Sequence, residues 1–150
     1  MTQRVAIICG GRSSEHEISC ISAAGVLSAI DRSKYQPILI GISKSGKWFL
    51  LDDKTSLTIQ NGVLPVVPET GNPVSLDASG FISAGVNLKI DIVFPLLHGP
   101  YGEDGTIQGL LEMADIAYVG SGVLASAVAM DKSFAKPIFA SQGIKVAAGF

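Results

Sequence analysis

The chain is organised around the stretch His98-Gly99-Pro100-Tyr101-Gly102-Glu103-Asp104-Gly105-Thr106. A run of large apolar residues, 90–97, precedes it, and a helix-like segment, 107–114, follows it. The stretch therefore predicts a glycine-rich turn between a buried strand and a helix. In an open parallel sheet such a turn lies at the carboxyl edge, where ligands bind. The start of the helix also presents free N–H groups that favour anions.

The polar residues of this turn allow two interpretations. In the functional one, His98 orients a substrate carboxylate and Glu103 fixes a nearby lysine or arginine. In the structural one, His98 is an ordinary loop histidine, and Asp104 caps the following helix, as acidic residues commonly do. The turn alone does not separate them.

Composition narrows the class of protein. A chain of 150 residues suits one ordinary domain that buries a real core. With 47% hydrophobic and only 16% charged residues, it suits a parallel sheet covered on both faces. The net charge of −2 argues against nucleic acid as a partner. No apolar run reaches the length of a membrane span.

The two cysteines and the start of the chain bear on location. Cys9 ends an apolar run and is expected to be a reduced core thiol, and neither it nor Cys20 has metal-type partners nearby in sequence. The first residues pass directly into a predicted strand, without the pattern of a secretory signal. We therefore expect a cytoplasmic protein.

Short apolar runs predict a sheet with about four main strands. They lie at 5–9, 38–42, 90–96 and 116–119. The first two are separated by a helix-length segment, so they form a βαβ unit and should be parallel. Residues 48–51 could form a returning hairpin arm. The fold class is therefore α/β, a Rossmann-like parallel sheet flanked by helices.

The first helix is predicted over 15–30. Ser14 and Glu17 have the spacing of a capping box, which would make Ser14 the N-cap. The apolar residues spread around the helix, so we expect it to be largely covered. Glu15 could hold a substrate ammonium, or it could only complement the helix dipole. His16 is expected to be exposed and is given no role.

Residues 52–89 and 123–150 give weaker secondary-structure signals. Residues 52–89 hold several prolines and predict an excursion from the main sheet, with small strands at 63–67 and 81–82. A helix is predicted at 123–130, and a second from 131 to 142 with Gly143 after its end. Residues 144–150 begin another apolar segment without a polar tail, so we expect the chain to be cut from a longer protein.

Several common site patterns do not occur in the sequence. Gly10 and Gly11 lack the G-x-G-x-x-G spacing of a dinucleotide loop, and no P-loop pattern occurs either. No cluster has the spacing of zinc ligands. Lys132 could contact a phosphate, or it could be an exposed lysine at a helix start.

Three segments together resemble one family. Residues 10–19, GGRSSEHEIS, resemble the opening loop of D-alanine–D-alanine ligases. Residues 98–109, HGPYGEDGTIQG, resemble the second signature of that family, and residues 118–127 with 130–132 resemble the third. The resemblance covers nearly the whole chain and is weakest over 52–89.

The resemblance implies an ATP-grasp ligase. In that reaction, ATP phosphorylates the carboxylate of one D-alanine to give an acyl phosphate, and the amine of a second D-alanine attacks it. The dipeptide serves peptidoglycan synthesis. Phosphoryl transfer of this kind normally uses Mg²⁺, whose ligands the resemblance implies beyond Phe150.

The resemblance also implies roles for individual residues. Glu15 and His98 would be the catalytic pair, with Glu15 on the ammonium of the first D-alanine and His98 near its carboxylate. Gly10 and Gly11 would let the backbone approach the substrate, and Glu103 would support the site. Lys132 would reach the ATP phosphates. No metal ligand is expected within the chain.

The resemblance finally implies an organisation. Residues 1–130 would form the amino-terminal substrate-binding domain, and residues 131–150 would begin the central ATP-grasp domain. The chain alone would be inactive, and the family commonly dimerises through this domain, so a homodimer is expected. The alternatives are a ligase of the same family that uses D-lactate or D-serine second, and a non-catalytic α/β binding domain.

Overall fold

The computed structural model describes residues 2–52 and 55–149. Within them the chain forms a mixed sheet flanked by helices, which confirms the α/β class. The elements in chain order are β1 (Gln3–Gly10), α1 (His16–Ala29), β2 (Tyr35–Ile42), β3 (Trp48–Leu50), β4 (Asn72–Asp77), β5 (Gly80–Ser83), β6 (Val86–Asn87), β7 (Ile92–Pro95), α2 (Thr106–Met113), α3 (Val123–Met130) and α4 (Lys132–Ser141).

The parallel part of the sheet is β2-β1-β7, with β1 in the middle. Ile7 lies opposite Leu39 on one side and Phe94 on the other. The predicted βαβ unit is confirmed. The strand predicted at 116–119 is reduced to a single parallel bridge between Val93 and Tyr118.

The excursion predicted over 52–89 is wrong for its second half, because residues 72–77, 80–83 and 86–87 belong to the sheet, whereas residues 55–71 form no strand of it. β3, β4, β5 and β6 extend it beyond β2 as an antiparallel ribbon, in the order β6-β5-β4-β3-β2-β1-β7. The extension pairs backbone groups that an irregular excursion would leave to water. The small strand predicted at 81–82 lies within β5, whereas 63–67 forms no strand and Val63 pairs only in an isolated bridge with Gln60.

Side chains of β1 alternate between two cores, as the period of a strand requires. Ala6 and Ile8 pack with Leu111 of α2 on one face. Val5, Ile7 and Cys9 pack on the other face with the α1 residues Cys20 and Ala23. Both cysteines are buried and free, as expected.

α1 begins one residue later than predicted, and its start differs in detail. Glu15 is the N-cap residue and makes no side-chain cap, while Ser13 Oγ accepts its backbone N–H at 3.0 Å. Glu17 does not reach back to Ser14 but bonds Lys44 at 2.5 Å, and this bond holds the pKa of Glu17 below its ordinary range. The predicted capping box is wrong because Lys44 offers a charged partner.

The buried face of α1 carries polar side chains beside the apolar Cys20 and Ala23. His16 and Ser19 are completely buried, whereas Ile18 is 49% exposed. Ser19 Oγ accepts the N–H of Gly10 at 2.8 Å and donates to the carbonyl of Leu96 at 2.6 Å. Ser19 therefore ties α1 to the ends of β1 and β7. The rest of the protein covers less of α1 than predicted. Hydrogen bonds from Ser19 to distant backbone groups, as well as apolar packing, hold the helix in place.

The two carboxyl-terminal helices, α3 and α4, lie where the sequence predicted them, within one residue at each end. Asp131 separates α3 from α4 and caps α4 by accepting the N–H of Ser133 at 2.8 Å. Gly143 follows α4 with φ of +74°, as a glycine at this position often does. No helix in the described part of the chain is both long and apolar enough to cross a membrane.

Candidate active site

Two loops meet at the carboxyl edge of the parallel strands. β1 ends at Gly10, and its parallel neighbour β7 ends at Pro95, so the segments that follow them leave from the same edge. The loop that follows the bridge of Tyr118 leaves beside them, because Tyr118 pairs in parallel with Val93 of β7. The turn that begins at His98 therefore lies at the carboxyl edge of the parallel strands, as the sequence predicted.

The turn after β1 requires glycine. Gly10 and Gly11 have φ of +88° and +96°. A Cβ at Gly10 would lie 2.3 Å from the carbonyl oxygen of Ile42, and Gly11 donates its N–H to that same oxygen at 2.8 Å. The backbone is therefore held close against the end of β2, which leaves the cleft side of the turn open.

Glu15 reaches across to the second loop. Its side chain is exposed at the start of α1. A Cβ added at Gly99 would lie 2.9 Å from Oε2 of Glu15, so the carboxylate lies directly against the residue that follows His98. The structure thus brings Glu15 to the His98 turn, on the same rim of the sheet.

His98 is held by groups from two elements. Its Nε2 lies 3.0 Å from Oγ of Ser22 on α1, and its Nδ1 lies 3.8 Å from Oε1 of Glu103. Oε2 of Glu103 accepts the N–H of Gly99 at 3.0 Å. Glu103 was expected to fix a lysine or arginine. Its partners among the described residues are instead the backbone of this turn and the imidazole.

Asp104 caps the start of α2 with its side chain, as expected, although the N-cap residue itself is Gly105. Gly105 is the N-cap residue of α2, while the Asp104 carboxylate accepts the N–H groups of Tyr101 at 2.9 Å and Thr106 at 3.0 Å. Burial raises the pKa of this carboxyl, but those two N–H groups favour the charged form more strongly and hold the pKa below its ordinary value.

A pocket of about 440 Å³ opens at this edge. Its walls include Gly10, Gly11, His98 and Arg12, whose guanidinium lies 4.7 Å from the ring centroid of Tyr101. Glu15 is not among the residues that line it, and its carboxylate lies against Gly99, next to the lining residue His98. A separate pocket of about 560 Å³ is lined by residues such as Arg4 and holds none of the predicted site residues.

Sequence reasoning missed Arg12 and Ser22. Arg12 gave no pattern signal, because its ring partner is 89 residues away in the chain (101 − 12). Ser22 lies seven residues after Glu15, a separation that returns to the same face of a helix. A helical projection could therefore have placed Ser22 below Glu15, facing the same loop.

His16 is a correction. It was expected to be exposed, yet it is completely buried. Its Nε2 accepts the N–H of Val67 at 3.0 Å, so Nδ1 carries the proton and donates to the carbonyl of Gly11 at 2.8 Å. His16 therefore fixes the glycine turn rather than facing solvent.

Lys132 lies apart from these groups. It is the first residue of α4, is exposed, and lines a different pocket of about 500 Å³ together with Lys136. Two lysines on one pocket suit a polyphosphate in charge. Within residues 2–52 and 55–149, no cluster of three or more His, Cys, Asp or Glu side chains could hold a metal ion.

A family model and curated relatives both match this chain to D-alanine–D-alanine ligases. Residues 4–121 match the family model described as "D-ala D-ala ligase N-terminus". A D-alanine–D-alanine ligase from Paenarthrobacter aurescens is 53% identical over 95% of the chain, and the match covers 41% of that ligase. The chain thus spans less than half the length of this curated relative.

Solved structures agree with the sequence match. The D-alanine–D-alanine ligase from Coxiella burnetii has a TM-score of 0.84 and 33% identity over 98% of the chain and 44% of its own. The VanG D-Ala:D-Ser ligase from Enterococcus faecalis has a TM-score of 0.82 and 35% identity over 99% of the chain and 44% of its own. A Bacillus anthracis D-alanine–D-alanine ligase complexed with ATP has a TM-score of 0.64 and 29% identity, with 98% and 38% covered.

Proposed function

Because this chain belongs to the family of D-alanine–D-alanine ligase amino-terminal domains, we propose that it supplies the first-substrate side of an ATP-dependent ligase. That ligase joins two D-alanine molecules for peptidoglycan synthesis. The observation that carries the proposal is the approach of the Glu15 carboxylate to the His98 turn.

The two side chains suit an amino acid zwitterion. The Glu15 carboxylate would accept charge-assisted hydrogen bonds from the ammonium of the first D-alanine. His98 would lie near the carboxylate of the same molecule, and the open backbone of Gly10 and Gly11 would let the substrate come close. Holding the carboxylate in one orientation is the main contribution that these residues make to its activation.

ATP would transfer its terminal phosphoryl group to this carboxylate and leave as ADP. The amine of the second D-alanine would then attack the acyl phosphate, lose a proton and displace inorganic phosphate. Lys132 is the residue that we propose for the phosphates, supported by its shared pocket with Lys136. We also propose that the boundary between the substrate domain and the ATP-binding part lies between Met130 and Asp131. Phosphoryl transfer of this kind normally uses Mg²⁺, and we propose that the magnesium ligands come from outside residues 1–150 of the ligase.

Two versions of the proposal differ in the second substrate, which is either D-alanine or D-serine. The similarity to a D-Ala:D-Ser ligase is as high as that to a D-alanine–D-alanine ligase. Both names share D-alanine, and Glu15, His98 and the glycine turn would serve that shared first substrate. We favour D-alanine as the second substrate because of the 53% identity to a D-alanine–D-alanine ligase.

The experiment is an assay of the full-length protein with ATP and D-alanine, scoring dipeptide, ADP and phosphate. The proposal expects all three products in equal amounts. D-serine and D-lactate, each supplied with D-alanine, distinguish the alternatives by the mass of the product. Absence of any ATP-dependent product, with D-alanine bound or not, would leave the non-catalytic binding domain as the better description.

We further propose a cytoplasmic homodimer. Two buried free thiols suit a reducing compartment. Large apolar side chains are exposed on the outer helices, including Met113, Leu124 and Phe134, and such side chains suit a protein interface. Light scattering of the full-length protein tests the dimer, and a monomeric mass at micromolar concentration would overturn it.

A further inference from the structure

The imidazole of His98 is only one-third exposed, and both of its nitrogens face polar groups. Rotating the ring by 180° would turn carbon atoms toward Oγ of Ser22 and the carboxylate of Glu103. The observed orientation is therefore the one that its partners favour. It directs Nδ1 toward Glu103 and Nε2 toward α1.

The proton positions follow from the partners. The nearest Glu103 oxygen lies 3.8 Å from Nδ1 of His98, beyond hydrogen-bond distance, but its negative charge favours the tautomer with the proton on that nitrogen. Nε2 of the neutral ring then accepts the hydroxyl proton of Ser22. If the ring becomes charged, Nε2 donates to the same hydroxyl oxygen. A hydroxyl serves both states, since it is donor and acceptor at once.

The position of Ser22 is itself fixed. Ser19, one turn earlier on α1, is completely buried and bridges Gly10 and Leu96. Leu96 lies two residues before His98, so the face of α1 that is tied to the end of β7 continues directly to the imidazole. Glu15 lies at the start of the same helix, so α1 carries both Glu15 and Ser22, the residue that bonds His98.

We infer that Ser22 is a positioning residue for the first substrate: its hydroxyl anchors Nε2 of His98 and so fixes the orientation of the imidazole in the wall of the pocket. This inference rests on the proposed function. Ser22 does not touch substrate. It acts through His98, and it links the orientation of the imidazole to the helix that carries Glu15.

The test compares Ser22→Ala and Ser22→Thr in the full-length enzyme. Ser28→Ala is the matched control, because Ser28 lies on the same helix, is exposed, and donates only to Gly25 of its own helix at 2.8 Å. The readouts are KM and kcat for the first D-alanine and the ¹⁵N shifts of the His98 ring in ¹⁵N-histidine-labelled protein.

We expect Ser22→Ala to raise KM about tenfold with little change in kcat, since one hydrogen bond that orients a binding group is lost. The ¹⁵N shifts should move from one tautomer to a mixture. Ser22→Thr keeps the hydroxyl and should stay close to the unsubstituted enzyme, as should Ser28→Ala. Unchanged KM and shifts in Ser22→Ala, or equal impairment of Ser22→Thr, would overturn the inference.

The two proposals fail separately. The ¹⁵N shifts report the tautomer whether or not the enzyme turns over. An unsubstituted protein without ligase activity would overturn the proposed function, while a tautomer that depends on the Ser22 hydroxyl would still support the anchor. A fully active ligase in which Ser22→Ala leaves the His98 tautomer unchanged would support the proposed function and overturn the role of Ser22.

Discussion

Nε2 of His16 accepts a hydrogen bond of 3.0 Å from the backbone N–H of Val67, 51 residues further along the chain. With the bond from Nδ1 to Gly11, this makes a buried histidine a structural brace. His16→Ala leaves two backbone groups without partners and should lower the free energy of unfolding by about 2–4 kcal/mol. Urea denaturation followed by Trp48 fluorescence measures the loss.

His98→Ala is the matched control for this prediction. His98 is half-buried, and its partners are side chains that water can reach. Its removal should cost less than about 1 kcal/mol of stability. Equal losses for the two histidines would contradict the assignment of His16 to structure and His98 to the site.

The glycine turn gives a second prediction. Gly10→Ala places a Cβ 2.3 Å from the carbonyl oxygen of Ile42 at a positive φ. Strain and overlap together should cost about 3–5 kcal/mol. Gly62→Ala, also at positive φ but with nothing within 4 Å, should cost only about 1–2 kcal/mol. Thermal unfolding of the two variants side by side distinguishes overlap from backbone strain alone.

Asp104 makes stability depend on pH. Its folded-state pKa is lowered, so its contribution is present above the ordinary aspartate pKa of about 3.9 and is lost as pH falls through the lower folded value. Asp104→Asn should be less stable by about 1 kcal/mol at neutral pH. The difference should shrink below about pH 4. A difference that stays constant down to pH 2 would exclude the two N–H bonds as its cause.

The thiols should be unreactive in the folded protein. The hydrogen bond with Cys20 and burial both raise the pKa of Cys9, and both side chains are buried. The same hydrogen bond lowers the pKa of Cys20, but its side chain is completely buried, so a thiol reagent at pH 8 should label neither residue until denaturant is added. Rapid labelling of either cysteine under native conditions would show that α1 opens away from β1.

The sequence predicted the parts of the fold that depend on local pattern. The apolar run of β1, the helix length that separates it from β2, and the Asp131 cap each need only neighbouring residues. The meeting of Glu15 with the His98 turn followed from one topological rule, because parallel strands end at the same edge.

The parts that the sequence did not predict depend on long-range pairing. His16 and Ser19 look like surface residues, and they are buried because distant backbone groups satisfy them. β4 and β5 form a ribbon whose register is set across the sheet rather than by local apolar alternation. For the same reason Ser22 emerged only when α1 and the loop after β7 were seen together.

The most direct test of the central claim, that Glu15 and His98 serve one substrate, is the kcat/KM for the first D-alanine in the full-length enzyme with Glu15→Gln. Loss of a charged hydrogen bond to the ammonium should lower it at least about tenfold, with an unchanged melting temperature because Glu15 is exposed. Glu17→Gln, on the same helix but paired with Lys44, should retain it. Normal kcat/KM in Glu15→Gln would contradict the claim.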